Sequence, residues 1–285
     1  MSSGDAPLTT DDHDRGAAGL RWVYPVISRR SGGCSVGVNL NPNQACNWRC
    51  VYCQVPNLSR GAGPPVELDE LRAELSQLLG DIVHGDFLAR RAPAGARLTD
   101  VAFSGDGEPT TSAHFEQAIE VVRAVLDQLG LAGELPLLLI TNGSLIGRES
   151  VDRGLRQLAA ANGRVWFKLD RGTDAGIAAW NDTRTSAADS LERLCACAQL
   201  APTWVQTCMA ALDGQPPPED ELEAWLGLLR SALERGAPLR GVLLYGLARP
   251  SLQPEAARLS ALPAAWLEAL GERVSALGLD TKVSP

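Results

Sequence analysis

Three cysteines stand close together early in the chain, within the stretch Cys46-Asn47-Trp48-Arg49-Cys50-Val51-Tyr52-Cys53. Their spacing lets three thiolates cover one face of a metal centre. The polar run Asn41-Pro42-Asn43-Gln44 that precedes them is poor core material, which argues against three buried structural thiols. The triplet therefore predicts a metal-binding loop.

Zinc and an iron–sulfur cluster are the two candidates for this metal. Structural zinc takes four ligands, usually as two separated pairs, and no second pair lies near the triplet. The three histidines, His13, His84 and His114, are scattered along the sequence. A [4Fe–4S] cluster is normally held by four cysteines, so three leave one iron with open sites for a small chelating ligand.

The CxxxCxxC spacing, with an aromatic residue just before the last cysteine, resembles the signature of the radical SAM superfamily. The resemblance implies that Cys46, Cys50 and Cys53 bind a [4Fe–4S] cluster and that Tyr52 lies beside an adenine. In that family the open iron is chelated by the amino and carboxylate groups of S-adenosylmethionine. Reductive cleavage then gives a 5′-deoxyadenosyl radical that abstracts hydrogen from the substrate.

A glycine-rich turn follows the second predicted strand, where residues 103–110 read FSGDGEPT. Gly105 and Gly107 let the backbone approach a ligand closely, and Glu108 offers a charged acceptor for an ammonium group. The turn resembles the GGEP element of the same family, which holds the amino group of the methionine moiety. Asp106 takes the place where the family often has the first glycine.

Lys168 stands out because the chain has 24 arginines and only two lysines. With a side-chain period of two, Trp166, Lys168 and Asp170 share one face of the fourth predicted strand. We expect the two charged residues to point into the mouth of the site. The ammonium group then binds the methionine carboxylate or an acidic substrate, or forms a Schiff base if its pKa is lowered. A salt bridge with Asp170 is the structural alternative.

Further polar residues fall at other strand ends. Asn142 follows the third strand as a candidate cofactor contact or a plain turn residue. Gln206 and Cys208 share a face of the fifth strand, where Gln206 suits an inward hydrogen bond and Cys208 lines a substrate pocket. Arg249 follows the sixth strand and either meets a carboxylate or phosphate or caps the strand end. We predict catalytic roles for Lys168, Gln206 and Cys208.

These residues lie close together only in a fold that brings the ends of several strands to one place. The sequence pattern predicts such a fold. Strands are predicted over 34–40, 99–103, 137–141, 165–170, 204–209 and 242–247. Helices are predicted over 68–83, 112–129, 148–161, 186–200, 219–235 and 263–277. This alternation predicts an α/β fold with a parallel sheet, a partial (βα)6 barrel of the radical SAM type. Sites in such folds lie at the C-terminal ends of the strands.

We expect three parts in the chain of 285 residues: a loosely packed N-terminal extension over 1–33, the radical SAM core over 34–250, and a helical C-terminal tail over 251–285. The N-terminus has no signal-peptide pattern, and no apolar run is long enough to span a membrane. These features predict a cytoplasmic protein that does not enter the membrane. Seven cysteines exclude a fully paired disulfide framework. The thiols of Cys34, Cys195 and Cys197 are then best read as structural.

The turn at 103–110 and the segments 216–219 and 247–250 most resemble the wyosine-synthase-like subgroup of Fe–S oxidoreductases, whose best-understood members modify a guanosine of tRNA. Those enzymes have further cysteines upstream of the triplet, where this chain has only Cys34. The net charge of -8 also disfavours a broad nucleic-acid-binding face. The resemblance to this subgroup therefore does not transfer its substrate, and we expect an unidentified substrate that is an RNA nucleoside or a small metabolite.

The resemblance also implies an external electron donor such as flavodoxin or ferredoxin, and we expect no DNA partner. Two alternatives stay open from the sequence. One is an activating enzyme that generates a glycyl radical on a partner protein. The other is a non-catalytic module that binds an iron–sulfur cluster or zinc. Glu108 and Lys168 argue against this alternative, because a purely structural metal site needs no cavity large enough for a cofactor.

Overall fold

The structure is a computed structural model that describes residues 7–9, 15, 19–28 and 32–285. Eight strands form one sheet in the order β1-β2-β5-β6-β7-β8-β10-β12. Their bounds are β1 Val23–Ser28, β2 Gly33–Val38, β5 Leu98–Phe103, β6 Leu137–Thr141, β7 Arg164–Lys168, β8 Thr203–Cys208, β10 Leu239–Tyr245 and β12 Thr281–Ser284. Two short pairs lie outside this sheet: β3 Ala45–Cys46 with β4 Ser59–Arg60, and β9 Ala211–Leu212 with β11 Leu259–Ser260.

Eight α-helices connect these strands in the described part of the chain. They are α1 Leu68–His84, α2 Phe87–Arg91, α3 Phe115–Gln128, α4 Glu149–Ala160, α5 Asp174–Asn181, α6 Ala187–Leu200, α7 Glu219–Glu234 and α8 Ala264–Ser275. In α1 the buried residues recur at helical spacing, which gives the helix one apolar face. Ser186 and Asp189 form a capping box that starts α6. None of these helices is both long and apolar enough to cross a membrane.

The six predicted strands form the parallel centre of the sheet, from β2 through β5, β6, β7 and β8 to β10. The sheet curls but does not close into a barrel. β1 and β12 are its two edge strands, and each pairs with only one neighbouring strand. This arrangement confirms the predicted partial barrel. The main apolar core lies between the sheet and the helices, while Ala102, Leu138, Trp166 and Leu243 form a smaller cluster of their own.

Two strands of the eight-stranded sheet lie outside 34–250 and were not predicted. β1 is buried and pairs antiparallel with β2, so the stretch 23–28 is packed rather than loose. Pro25 makes this strand hard to recognise in the sequence. Proline argues against a central strand but is tolerated in an edge strand such as β1. β12 follows the predicted C-terminal helix and pairs in parallel with β10. The division at 33 and 250 stays a prediction, and His13 lies outside the described residues.

Candidate functional site

A cavity of ≈ 260 Å³ opens inside the curled sheet, at the end where the parallel strands finish. Inward-facing residues alternate along the strands, as Asp100, Ala102 and Ser104 do in and just after β5. Nearly all the predicted site residues line it: Cys46, Cys50, Cys53, Tyr52, Gly105, Gly107, Glu108, Asn142, Lys168, Gln206, Cys208 and Arg249. Asp170 is the one that does not. The fold therefore gathers residues from six separate segments around one space.

The cysteine triplet begins with Cys46 at the end of β3 and continues into the loop that follows. Two hydrogen bonds reach its sulfur atoms: Trp48 N donates to Cys46 Sγ at 3.5 Å, and Asn181 Nδ2 donates to Cys50 Sγ at 3.3 Å. The backbone turns tightly at the end, where Cys53 N donates to the Cys50 carbonyl at 2.9 Å. All three thiols are half-buried and face the cavity.

The three thiols share the cavity without converging on a single point. In the described part of the chain, no group of three or more His, Cys, Asp or Glu side chains is placed to hold one metal ion. An iron–sulfur cluster is larger than an ion and binds each thiolate at a different iron, so this soft donor set fits a cluster better than zinc. Burial raises the pKa of Cys46 to about 12 and that of Cys50 to about 11. Metal binding would therefore release protons.

A C-terminal segment, residues 251–255, holds the back of this loop. Ser251 Oγ donates to the Val51 carbonyl at 2.6 Å, and the backbone N–H of the next residue donates to the Cys53 carbonyl at 2.9 Å. Gln253 Nε2 donates to the Val55 carbonyl at 3.0 Å. We call residues 251–255 the loop clamp. Sequence reasoning missed it, because it lies about 200 residues away and carries no motif.

Arg49 ties the loop to the clamp through charge. Its guanidinium donates to both carboxylate oxygens of Glu255, at 2.8 and 3.0 Å, and to Asp182 at 2.8 Å. The hydrogen bond with Glu255 contributes most to raising the pKa of Arg49. This bidentate pairing fixes the orientation of the loop as well as its position.

Glu108 lies in the turn after β5, is 3 % exposed, and has both carboxylate oxygens occupied by protein donors. Oε1 accepts from Thr110 Oγ1 and Thr141 Oγ1, each at 2.6 Å, and from Thr110 N at 3.2 Å. Oε2 accepts from Asn142 N at 2.7 Å. Burial raises the pKa of Glu108, and these hydrogen bonds oppose the rise. The carboxylate thus joins two strand-end turns and keeps lone-pair capacity on Oε2.

The glycine turn packs closely against the cysteine loop. A Cβ added at Gly107 would lie 2.0 Å from the Ala45 carbonyl oxygen, beside Cys46. At Gly105 the φ angle is +154° and an added Cβ would lie 2.3 Å from Asn39 Oδ1. Both positions need glycine because the backbone packs closely against other protein atoms. The predicted approach of this turn to a ligand stays a prediction.

Tyr52, Lys168 and Asp170 form one buried network. Tyr52 Oη donates to Asp170 Oδ2 at 2.6 Å, and Lys168 Nζ donates to Tyr52 Oη at 3.1 Å. Asp170 also accepts from Asn181 Nδ2 and from Cys208 N, each at 2.8 Å. Asp170 therefore does not line the cavity. It accepts the hydrogen bond of the Tyr52 hydroxyl and so fixes the position of that side chain.

The Lys168 ammonium is held in its charged form. Burial by itself lowers the pKa of Lys168. The nearby acidic groups of Tyr245, Asp170 and Cys50 raise this pKa by more than burial lowers it, so the net shift is upward. A Schiff base needs a lowered pKa, so the upward shift favours binding of an anion over that chemistry. Binding of an anionic group remains consistent with the charge. The predicted direct salt bridge with Asp170 is replaced by the link through Tyr52.

Gln206 and Cys208 both face the cavity from β8. Gln206 is 0 % exposed, and neither of its amide atoms has a hydrogen-bond partner among the described residues. Burial raises the pKa of Cys208 to about 12, so the thiol keeps its proton at neutral pH. The other cysteines stand apart from the site: Cys34 and Cys197 are fully buried, and Cys195 is half-buried.

Two charged cavity residues were not predicted. Arg15 Nη1 lies 2.5 Å from Asp106 Oδ1 and brings an N-terminal guanidinium to the glycine turn. Asp100 is 2 % exposed and accepts a hydrogen bond from the Ser35 hydroxyl deep in the cavity. The alternation of Asp100, Ala102 and Ser104 along the strand could have identified Asp100 from the sequence. No sequence pattern indicated Arg15.

Residues 40–226 match the model of the Radical SAM superfamily, which is more than half of the chain. The chain belongs to the radical SAM superfamily. Membership supports an enzyme of that superfamily over a non-catalytic module. Membership generally implies an iron–sulfur cluster, S-adenosylmethionine, an external electron donor and a small-molecule or RNA substrate.

Solved radical SAM structures share the fold. A radical SAM methyltransferase from Sphaerobacter thermophilus is 16 % identical, with a TM-score of 0.61 over 92 % of this chain and 68 % of that one. TYW1 with a bound lysine–pyruvate adduct is 14 % identical, with a TM-score of 0.54 over 85 % of this chain and 73 % of that one. TYW1 is a wyosine synthase, so the subgroup that the sequence most resembles is represented among these neighbours.

Two curated proteins match in sequence over part of their length. The GTPase Obg of Brachyspira hyodysenteriae is 27 % identical over 134 residues, which are 46 % of this chain and 17 % of that protein. UPF0026 protein MJ1312 of Methanocaldococcus jannaschii is 26 % identical over 160 residues, 52 % of this chain and 43 % of that protein. The chain thus spans less than half the length of either relative.

Proposed function

We propose that this radical SAM enzyme binds a [4Fe–4S] cluster through Cys46, Cys50 and Cys53 and cleaves S-adenosylmethionine reductively. When bound, the two cofactors supply a 5′-deoxyadenosyl radical that abstracts hydrogen from an RNA nucleoside or a small metabolite. The observation that carries this proposal is the placement of all three thiols in the wall of one cavity, on a loop held by the clamp. An external electron donor such as flavodoxin or ferredoxin provides the electron.

The residues around the triplet have the chemistry to hold S-adenosylmethionine. Glu108 keeps acceptor capacity for an ammonium group, and Lys168 offers a charged donor for a carboxylate. Tyr52 presents an aromatic ring to the cavity and is fixed by Asp170. Asn142 lines the same wall, and Arg249 lies at the end of β10 as a second cationic group. Gly105 and Gly107 keep the turn close to the loop.

The substrate would enter the part of the cavity beyond the triplet. Gln206 and Cys208 line it from β8, and Asp100 lines its deep end. These groups are polar and few, which suits a small molecule or a single nucleoside. Because the whole chain carries a net charge of -8, an RNA substrate would have to be held through this local pocket.

Spectroscopy of the reconstituted protein tests the proposal. Protein reconstituted without oxygen should show the electron paramagnetic resonance signal of a reduced [4Fe–4S] cluster, and the signal should change when S-adenosylmethionine is added. Cys50→Ala should abolish both. Cys197→Ala removes a buried thiol outside the cavity and should leave both unchanged. A full cluster signal in Cys50→Ala, or tight zinc without iron in the wild type, contradicts the proposal.

The substrate is found by comparison of cells with and without the protein. Mass spectrometry of tRNA nucleosides and of metabolites from both should show one changed compound. A changed nucleoside identifies an RNA substrate, while unchanged nucleosides with a changed metabolite remove RNA from the proposal.

A further inference from the structure

Four side chains on three neighbouring strands form one patch of the cavity wall, which we call the β8 patch: Lys168, Gln206, Cys208 and Tyr245. The sheet register pairs Lys168 with Gln206 and Cys208 with Tyr245. Partners on adjacent strands lie about 5 Å apart, and residues two apart on one strand share a face. All four side chains therefore meet around a single small volume.

Gln206 shows that this volume is built for a bound molecule. Its side chain is 0 % exposed, and the amide oxygen and nitrogen both lack a partner among the described residues. Leaving a buried polar group without a hydrogen-bond partner is unfavourable, because its lost hydration is not replaced. A ligand that offers one donor and one acceptor at this wall removes that cost. Such a group is found in carboxamides, ureas and the edges of nucleobases.

Cys208 brings a different chemistry to the same wall. It is 1 % exposed, yet its side chain lines the cavity two residues from Gln206 on the same strand face. The thiol stays protonated, because burial raises its pKa to about 12, and a hydrogen bond with Tyr245 opposes this only in part. A protonated thiol is a poor nucleophile and a poor metal ligand. Its S–H bond is nevertheless weaker than the C–H bonds of unactivated carbon.

We infer that Cys208 is the hydrogen-atom donor of this cavity, giving its thiol hydrogen to a carbon-centred radical held against Gln206. That radical is the substrate radical when substrate is bound, and the 5′-deoxyadenosyl radical when no substrate is present. The inference rests on the proposed function, which places carbon radicals in the cavity. In the step the S–H bond breaks homolytically, a C–H bond forms, and the sulfur keeps one unpaired electron. One electron from the external donor and one proton from solvent then restore the thiol.

The isotopic composition of 5′-deoxyadenosine tests this role without knowledge of the substrate. Reconstituted protein is equilibrated in D2O, which exchanges thiol hydrogen, and is given S-adenosylmethionine and a reductant with no added thiol or substrate. The 5′-deoxyadenosine formed in this uncoupled reaction should contain one deuterium taken from Cys208. Mass spectrometry measures that deuterium separately from the total amount of product.

Variants locate the donor. Cys208→Ser should lose the deuterium down to natural abundance, because a serine O–H bond is too strong to donate a hydrogen atom, and Cys208→Ala should behave alike. Cys197→Ser changes a buried thiol that contacts Thr203 away from the cavity, and should keep the deuterium. Iron content and thermal unfolding of each variant show that the fold and cluster persist.

The two proposals fail in different ways. Product without deuterium in the wild type, or deuterium in Cys208→Ser and Cys208→Ala at the wild-type level, overturns the role of Cys208 while the proposed function stands. Absence of any 5′-deoxyadenosine from the wild type overturns the proposed function, and the role of Cys208 falls with it.

Discussion

Glu108 is a buried carboxylate that serves two purposes at once. Its hydrogen bonds with Thr110, Thr141 and Asn142 join the turns after β5 and β6. In the proposed function, the remaining acceptor capacity of Oε2 serves a cofactor ammonium group. Binding and local stability are therefore coupled at this residue. A substitution that affects only ligand affinity is not expected here.

Glu108→Ala should lower the free energy of unfolding by about 2–4 kcal/mol, because it leaves several buried donors without an acceptor. Urea denaturation of the metal-free protein measures this loss. Glu149→Ala is the matched control: that glutamate is 89 % exposed and pairs with Arg153 on the surface, so its removal should cost about 0.5 kcal/mol or less. Equal stability of the two variants would contradict the structural role of Glu108.

The predicted residues that line the cavity are those whose residue type and strand position act together. Residue type singled out Lys168, and the period of two placed it at the cavity wall. The same period pointed Asp170 the same way, but Asp170 follows β7 in a loop and instead accepts the hydroxyl of Tyr52. Arg15 has no such pattern, since only the tertiary fold brings it to Asp106.

The loop clamp acts at the level of elements, because it joins the C-terminal segment to the cysteine loop. Loops of this kind hold their shape only when their carbonyl groups find donors. Ser251, the Leu252 backbone and Gln253 supply one donation each, to the carbonyls at 51, 53 and 55 respectively. The clamp thus stabilises the conformation in which the thiols face the cavity.

Ser251→Ala should speed the loss of iron from the reconstituted protein severalfold, because the Val51 carbonyl loses its 2.6 Å donor. The rate is measured as transfer of iron to a chelator without oxygen. Ser260→Ala removes an exposed hydroxyl of β11 and should release iron at the wild-type rate. If both variants release iron equally slowly, the clamp does not hold the loop.

The regular elements were largely predictable because their patterns are local. The apolar runs of β5 to β10 and the amphipathic helices follow from side-chain periodicity, and α7 begins at Glu219 as its prolines and acids predict. β1, β12 and the short α5 were missed. Their identity depends on pairing or packing with distant residues, which no local pattern records.

At the level of the whole molecule, charge limits the range of partners. Acidic residues outnumber basic ones by 34 to 26, so the chain as a whole repels a polyanion. Bulk tRNA should therefore show no binding at about 10 µM protein and physiological salt, where basic proteins bind nucleic acid non-specifically. Fluorescence anisotropy measures this. Micromolar, salt-dependent binding would contradict the view that any RNA is recognised only through the pocket.

The central claim is that the triplet and the cavity together form a catalyst for reductive cleavage of S-adenosylmethionine. Its most direct test is the amount of 5′-deoxyadenosine that the reconstituted protein releases on reduction without oxygen. We expect release by the wild type that depends on S-adenosylmethionine and on the reductant, and none from Cys50→Ala. Absence of product from cluster-loaded wild type, or equal product from Cys50→Ala, would contradict the claim.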